Sequence, residues 1–406
     1  MKFLRIVGWS LGGVVALAIL LYAIARLVNW RDEQPSAAAI RFEELYRDRP
    51  FVADDDNGFV MVTDFDNVPD ETAPRDPKVK ELLEACRPPD STRCASTFDA
   101  SGEYFDKWMV TESRLLDRYG ELLSRPGWRE VTPEDVSAVL PPYTLVMDGQ
   151  KLFLLHARSL AGKQDYAGVK ALLERDIRFW RRVLASSDIL ISKMIAVAAL
   201  RRHFEWGSLI LRKLPHEHVL QAVPAEWRVA ISREERSMLR CWVGEWKFAS
   251  GVMRGEAPPN GTDQFFQIQA SINASAEYFS RLTEMLDVPL DRYESAIQKA
   301  DDWASKPRWP RSPYNLTGKI LLNIGAPAYI PYVRRVADVE GVRRAAAAVI
   351  ALHEHSVELA DVAAALAASP HRNPYNNKPF AWDAPTRAVL FRGLQPDPRG
   401  LHRIYY

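Results

Sequence analysis

The sequence predicts a mainly α protein: a single N-terminal transmembrane helix followed by packed helical hairpins and a small C-terminal β appendage. Three observations carry that expectation. Ile6 to Ala25 is an uncharged, mostly apolar run of twenty positions. Apolar residues recur at helical spacing between Leu145 and Leu214. At the far end, Val389 to Phe391 and Ile404 to Tyr406 are two short β-prone runs.

At about 1.5 Å per residue the first run spans roughly 30 Å, the thickness of a bilayer's hydrocarbon core. Lys2 and Arg5 precede it; Arg26, Arg31, Asp32 and Glu33 follow it. A positive leading flank favours a cytoplasmic short end and an exported remainder. Residues 6–28 are therefore expected in the lipid bilayer as an uncleaved signal-anchor of a bacterial inner membrane, single-pass, with the C-terminal domain in the periplasm. A cleaved signal peptide is the competing reading. Its small-residue processing site would be Ala37, Ala38 and Ala39, which lie far beyond the apolar core. No cysteine follows the run closely enough for lipoprotein processing.

Punctuation and composition divide the chain into a membrane anchor (1–30), a connector (31–50), an N-terminal mixed or helical region (51–142), a helical domain (143–370) and a C-terminal turn and β appendage (371–406). In the connector, Phe42, Leu45 and Tyr46 suit a short amphipathic turn or helix. Asp54, Asp55 and Asp56 before Asn57-Gly58 read as a solvated turn, since an EF-hand loop needs a downstream Glu that is missing. Phe59 to Val62 reads as a strand or the start of a buried helix. From Pro77 to Arg125 two helical segments are expected, with Phe105, Trp108, Met109, Leu115, Leu116 and Tyr119 as the apolar stripe.

The chain has three cysteines. Cys86 and Cys94 bracket a Pro-rich polar loop, and in an exported domain they are candidates for a disulfide that closes it. Cys241, beside Trp242 and Trp246, reads as a buried thiol. The spacing is not that of a zinc site.

From Leu145 to Leu214 the pattern predicts an antiparallel helix pair turning at Lys163-Gln164-Asp165, then a third helix from Ile189 to Leu200. The pair is faintly similar to a tetratricopeptide hairpin, without a sustained 34-residue period. An amphipathic stretch from Trp227 to Ala249 follows, then a loop over 251–261, then helices Gln264–Met285 and Leu290–Trp303. Trp303 to Pro313 reads as an ordered loop. From Asn315 a helix is expected, interrupted around Pro327 and Pro331, then Val333 to Leu366. Near the end, Pro374 and Pro379 restrict φ, Asn376 and Asn377 suit a tight turn, and Phe380 and Trp382 supply anchors.

Lys plus Arg number 53 against 52 Asp plus Glu, a formal charge of +1, so no nucleic-acid partner is expected. Arg178, Arg181 and Arg182, and Arg201 with Arg202, read as solvated helix faces. Twelve tryptophans suit either a core or a groove.

The sequence names no cofactor and no metal site. Gly318-Lys319 lacks the rest of a phosphate loop, and no Gly-x-Ser-x-Gly string occurs outside the apolar run, where Gly8-Trp9-Ser10-Leu11-Gly12 is part of the span and no nucleophile elbow. His353 and His355 are two residues apart, which does not put them on one helix face, and they read as a solvated helix end even with His371 nearby. His216 and His218 read the same way. Glu234 and Glu235 with Glu245, or Asp188 with Glu174, are candidate cavity carboxylates. Glycoside cleavage needs an opposed acid and base; Glu245 is the acid to inspect, and no catalytic residue is assigned. Trp242 and Trp246, four residues apart, make either a core stripe or a sugar platform. With Tyr375 and Trp382 they form the candidate interaction surface.

The segments Asn315-Leu316-Thr317-Gly318-Lys319 and Asn373-Pro374-Tyr375-Asn376-Asn377-Lys378-Pro379-Phe380-Ala381-Trp382 resemble the Asn-Pro-x-Gly-Arg/Lys and Asp-Pro-Phe-x-Gly-Lys-Pro-Leu-x-Tyr segments of large, anchored, helix-rich bacterial proteins of largely unassigned function. Leu316 replaces Pro, Asn373 stands at the Asp and Asn377 at the Gly. The resemblance implies an anchored helical body and carries over no catalytic residue. The expected function is a membrane-tethered periplasmic scaffold or protein-interaction protein whose partner is an unidentified envelope protein or complex. The alternative is a cell-envelope glycan hydrolase or glycan-binding protein.

Overall fold

Away from water, a single apolar segment can satisfy its own backbone only as a helix, and α1 (Lys2–Val28) is one unbroken helix. Its stretch Trp9–Val28 is long and apolar enough to cross a membrane, and none of it is buried in the body. The computed structural model describes residues 2–65, 77–86, 93–100, 105–131, 137, 139–255, 265–306 and 312–406.

The connector does not hang free. Ser36 accepts from the Ala39 amide and starts α2 (Ala37–Arg47), whose Phe42 is buried edge-on to Trp246. The three aspartates form one exposed 3-10 turn, and Asn57 then caps α3 (Gly58–Thr63), which settles residues 59–62 as helix. Four short helices, rather than two longer ones, follow: α4 (Pro77–Ala85), α5 (Cys94–Ala100), α6 (Phe105–Thr111) and α7 (Ser113–Ser124). Cys86 and Cys94 are joined by a disulfide; the Pro-rich loop between them lies outside the described residues.

The helix pair is α8 (Tyr143–Gly162) and α9 (Tyr166–Ser186), with Asp165 capping α9 through the Gly168 amide. The third helix, α10 (Leu190–Leu211), runs eleven residues beyond its expected end at Leu200, continuing through buried Phe204, Trp206 and Leu209. It packs on α8, on α9 and on the long helix Ile330–Glu354. The expected stretch from Trp227 to Ala249 is broken. Trp227 sits in a 3-10 turn, α11 (Val219–Ala222) precedes it, and Ser232 with Glu235 forms a capping box that starts α12 (Arg233–Arg236). Only then does α13 (Leu239–Gly255) begin, running on into the expected loop. Next come α14 (Ile268–Leu286), α15 (Tyr293–Ser305), α16 (Leu316–Gly325), a 3-10 turn (Ala326–Tyr329), α17 (Ile330–Glu354) and α18 (Val362–Ala368). Residues 307–311 of the expected Trp303–Pro313 loop lie outside the described residues.

Three strands end the chain: β1 (Ala381–Asp383), β2 (Ala388–Arg392) and β3 (Leu401–Tyr405), antiparallel in the order β1-β2-β3. Val389 pairs with Trp382 on one side and Ile404 on the other. Alternation puts Val389 and Phe391 on one face of the sheet, where Phe391 fills the space over Gly341 of α17; a Cβ there would overlap the ring. One hydrophobic cluster runs from Ala39 to Tyr406, with Trp180, Trp206, Trp227, Trp242 and Trp246 among its largest wholly buried side chains.

Candidate functional site

Most charged residues singled out in the sequence are used up in holding helices together. A helix leaves its first backbone N–H groups without partners. At α10 two carboxylates supply them: Glu130 accepts from the amides of Asp188 (2.8 Å) and Ile189 (2.5 Å), and Glu245 from Leu190 (3.1 Å). Burial pushes the Glu130 carboxyl up to about 7 and raises that of Glu245. Asp188 is held by Arg49 at 2.6 Å and Arg240 at 3.1 Å. Glu174 lies elsewhere, pairing with Arg178 on its own helix. Asp188 and Glu174 therefore do not share a cavity, and Glu245 caps a helix.

Asp176 and His203, both fully buried, have the look of a catalytic pair but are closed on every side. Asp176 accepts from Tyr119 (2.6 Å) and pairs with His203 Nδ1 (2.7 Å), while Trp227 donates to His203 Nε2 (2.9 Å). Indole only donates, so Nε2 is the acceptor and Nδ1 carries the proton toward Asp176. No ring nitrogen is left for a substrate.

The arginines expected on solvated faces are equally committed. Arg181 grips Glu235 in a two-pronged pair (2.6 and 2.9 Å) and also donates to Val229 and Ala230 carbonyls. Half-buried Arg202 donates to Gln150. His353 is not a solvated helix end: it is buried, its ring 4.5 Å from that of Tyr406 and 5.1 Å from that of His216, and burial pulls its pKa down to about 4. Among the described residues no group of three His, Cys, Asp or Glu side chains is arranged to hold a metal ion.

The expected aromatic surface is corrected by burial. Trp242, stacked on Phe279 and edge-on to Tyr329, is wholly enclosed between α13, α14 and the turn before α17. Trp246 donates to the Ile272 carbonyl under α2. Tyr375 is buried, donating to Asp338 of α17. Trp382 alone stays half-exposed, on β1. An i,i+4 pair shows that a helix has an apolar stripe; it does not show what covers it.

The fold leaves open, among others, a cleft of about 950 Å³ between α2, α12, the start of α13 and the end of α14. Its rim carries Arg41, Arg233, Arg236 and Arg240 against Glu234, Glu284 and Asp287; Met238, Leu286, Val288 and Pro289 line it. Arg233 spans to Asp287, and Arg240 is already turned toward Asp188. Arg41, exposed on α2, has no hydrogen-bond or ion-pair partner among the described residues. The Trp242 indole N–H, buried at the wall, also lacks an acceptor. Arg181 of α9 and Glu340 with Arg343 of α17 pin residues 227–235, which keeps the α12 wall rigid. Sequence reasoning did not single out these arginines; they come from two distant segments, and no local spacing relates them.

Comparison with protein-family models, with characterised proteins and with solved structures finds no match to this chain.

Proposed function

We propose that this membrane-anchored protein is an interaction module of a bacterial inner membrane, its body in the periplasm, and that the cleft receives an acidic, partly apolar segment of an envelope partner. The observation that carries the reading is the cleft's lining: Arg41, exposed and without a partner among the described residues, beside apolar walls of Met238, Leu286, Val288 and Pro289. A guanidinium presents several fixed donors to a carboxylate, and the apolar lining suits the side chains between two such carboxylates. The likeness of the two C-terminal segments to anchored, helix-rich bacterial proteins belongs to the same reading. The glycan-hydrolase alternative gains nothing from Glu245, whose oxygen is engaged by the Leu190 amide.

The test is rapid crosslinking in intact envelopes, comparing wild type with Arg41→Glu in the cleft and Arg47→Glu outside it. One envelope complex recovered with wild type and Arg47→Glu but lost with Arg41→Glu is the expected result. Equal recovery from all three, or turnover of cell-wall glycan by the purified protein with nothing captured, overturns it.

A further inference from the structure

The cleft is not the only surface the fold leaves unpartnered. Helix α16 has ten residues, one of them charged, and its outer face is Leu316, Ile320, Leu321 and Ile324. These are 36, 46, 56 and 73 % exposed. Positions i, i+4, i+5 and i+8 form one continuous stripe on a helix. The helix's other side is spent on the body: Gly318 sits against Ser271 of α14, and Tyr278 donates to Ala326 just past its end. Its single cation, Lys319, folds back to the Tyr314 carbonyl at 2.7 Å. A water-facing helix would carry the opposite pattern.

Where this helix begins decides what covers it. Asn29 immediately follows the last residue of α1. Its side chain accepts from the Asn315 amide at 2.8 Å and donates to the Pro313 carbonyl at 2.9 Å, so α16 starts at the level where the apolar span ends. The Gln267 side chain donates to the Asn29 carbonyl, and Asp32 caps α14 through the Gln269 and Ala270 amides. Two residues before Gln267, the Phe265 ring lies 6.3 Å from Tyr22, about two helical turns inside the span. The body is thus held against the span exit by bonds rather than hung from it by a linker, and part of it reaches below the exit.

We propose that α16 is a second membrane contact, with Leu316, Ile320, Leu321 and Ile324 seated in the interfacial layer of the same bilayer that α1 crosses. The interface adds roughly 5–8 Å beyond the hydrocarbon on each side, and a ten-residue helix is about 15 Å long, so a helix lying in or tilted across that layer keeps its apolar face there. Amphipathic helices bind interfaces in this way. The inference rests on α1 spanning a bilayer and is independent of the cleft.

The experiment uses the full chain in nanodiscs of phosphatidylethanolamine and phosphatidylglycerol, spin-labelled one site at a time. Cys86 and Cys94 are paired and Cys241 is buried, so an introduced thiol takes the label. Ile324→Cys and Leu321→Cys are the test sites. Leu17→Cys within the span and Val229→Cys, an exposed apolar position on the body, are the controls. Labels at 324 and 321 are expected to favour collision with dissolved oxygen over a water-soluble nickel chelate, as at 17 and opposite to 229. A label at 324 or 321 reading like 229 overturns the proposal. So does one shielded from both reagents and dipolar-broadened, because a second copy of the chain then covers the face. If 17 also reads as aqueous, it is the membrane span itself that fails.

Discussion

The backbone amide of Asn315 and the side-chain oxygen of Asn29 meet at 2.8 Å across 286 residues of sequence. That contact, with the Pro313 carbonyl on the other side of the same amide group, couples the end of the membrane helix to the last third of the chain. Asn315 is buried and in the left-handed conformation (φ 49°), which asparagine tolerates better than most residues. Its side chain accepts from the Gln267 amide at 3.0 Å, so one residue ties α1, α14 and α16 together.

Asn29→Ala removes the acceptor and leaves the Asn315 N–H buried without a partner. A loss of about 1–3 kcal/mol is expected, with faster proteolysis near residue 30 in bilayer-embedded protein. Unfolding in nanodiscs followed by tryptophan fluorescence measures the first; limited digestion measures the second. An unchanged midpoint and digestion pattern would show that the junction is not held as described.

Gly341 on α17 makes room for Phe391 of β2. Gly341→Ala has no space for its methyl and is expected to cost about 1–3 kcal/mol through forced repacking, despite alanine's better helix propensity. Phe391→Leu in the same chain relieves the overlap, so the two changes together cost less than their sum. Chemical denaturation of both single variants and the double variant reads the coupling; strict additivity contradicts the packing.

His353 titrates near 4 in the folded protein and near 6.5 when unfolded. Its folded pKa is depressed because burial, and then the neighbouring His216, disfavour the cation. As pH falls from about 6.5 toward 4 the unfolded chain takes up a proton that the folded chain refuses, so stability drops across that window. The penalty reaches on the order of 3 kcal/mol at the acid end. His353→Phe keeps the ring against Tyr406 and removes the titration. The wild-type-minus-variant difference should therefore change with pH in this window and level off above it. Glu130 and Asp338, raised to about 7 and about 6, push in the opposite sense in both proteins and cancel in the comparison. A pH-independent difference would mean that His353 is solvated.

The thiols report on the compartment. Cys241 is buried, and burial pushes its pKa up, so it should not react in the native protein. Protein isolated from envelopes with free thiols blocked is expected to show one newly reactive cysteine on unfolding and two more only after reduction. Gel shifts with a polymer-linked maleimide count them. Three reactive thiols on unfolding alone would put the body in a reducing compartment and remove the periplasmic address.

The span, the α8–α9 hairpin and the β2–β3 pairing are all legible in the sequence. Each depends on neighbours in the chain: uninterrupted apolar length for α1, helical period plus a Lys163-Gln164-Asp165 stop for the hairpin, two short β-prone runs for the strands. Cys241 was likewise readable as a buried thiol from its apolar surroundings. What a residue faces is another matter. Trp242 and Trp246 could have lined a groove until α2 and α14 closed over them; Arg181 could have been solvated until Glu235 met it, and Asp188 could have shared a cavity with Glu174 until Arg49 and Arg240 arrived from elsewhere. The expected surface turned inward, and the cleft rim came from arginines with no common motif. Helix periodicity sets which residues share a face, because that is local geometry. Which faces end up against protein, water or lipid is settled only when distant segments compete to cover them, and that competition has no signature in sequence spacing.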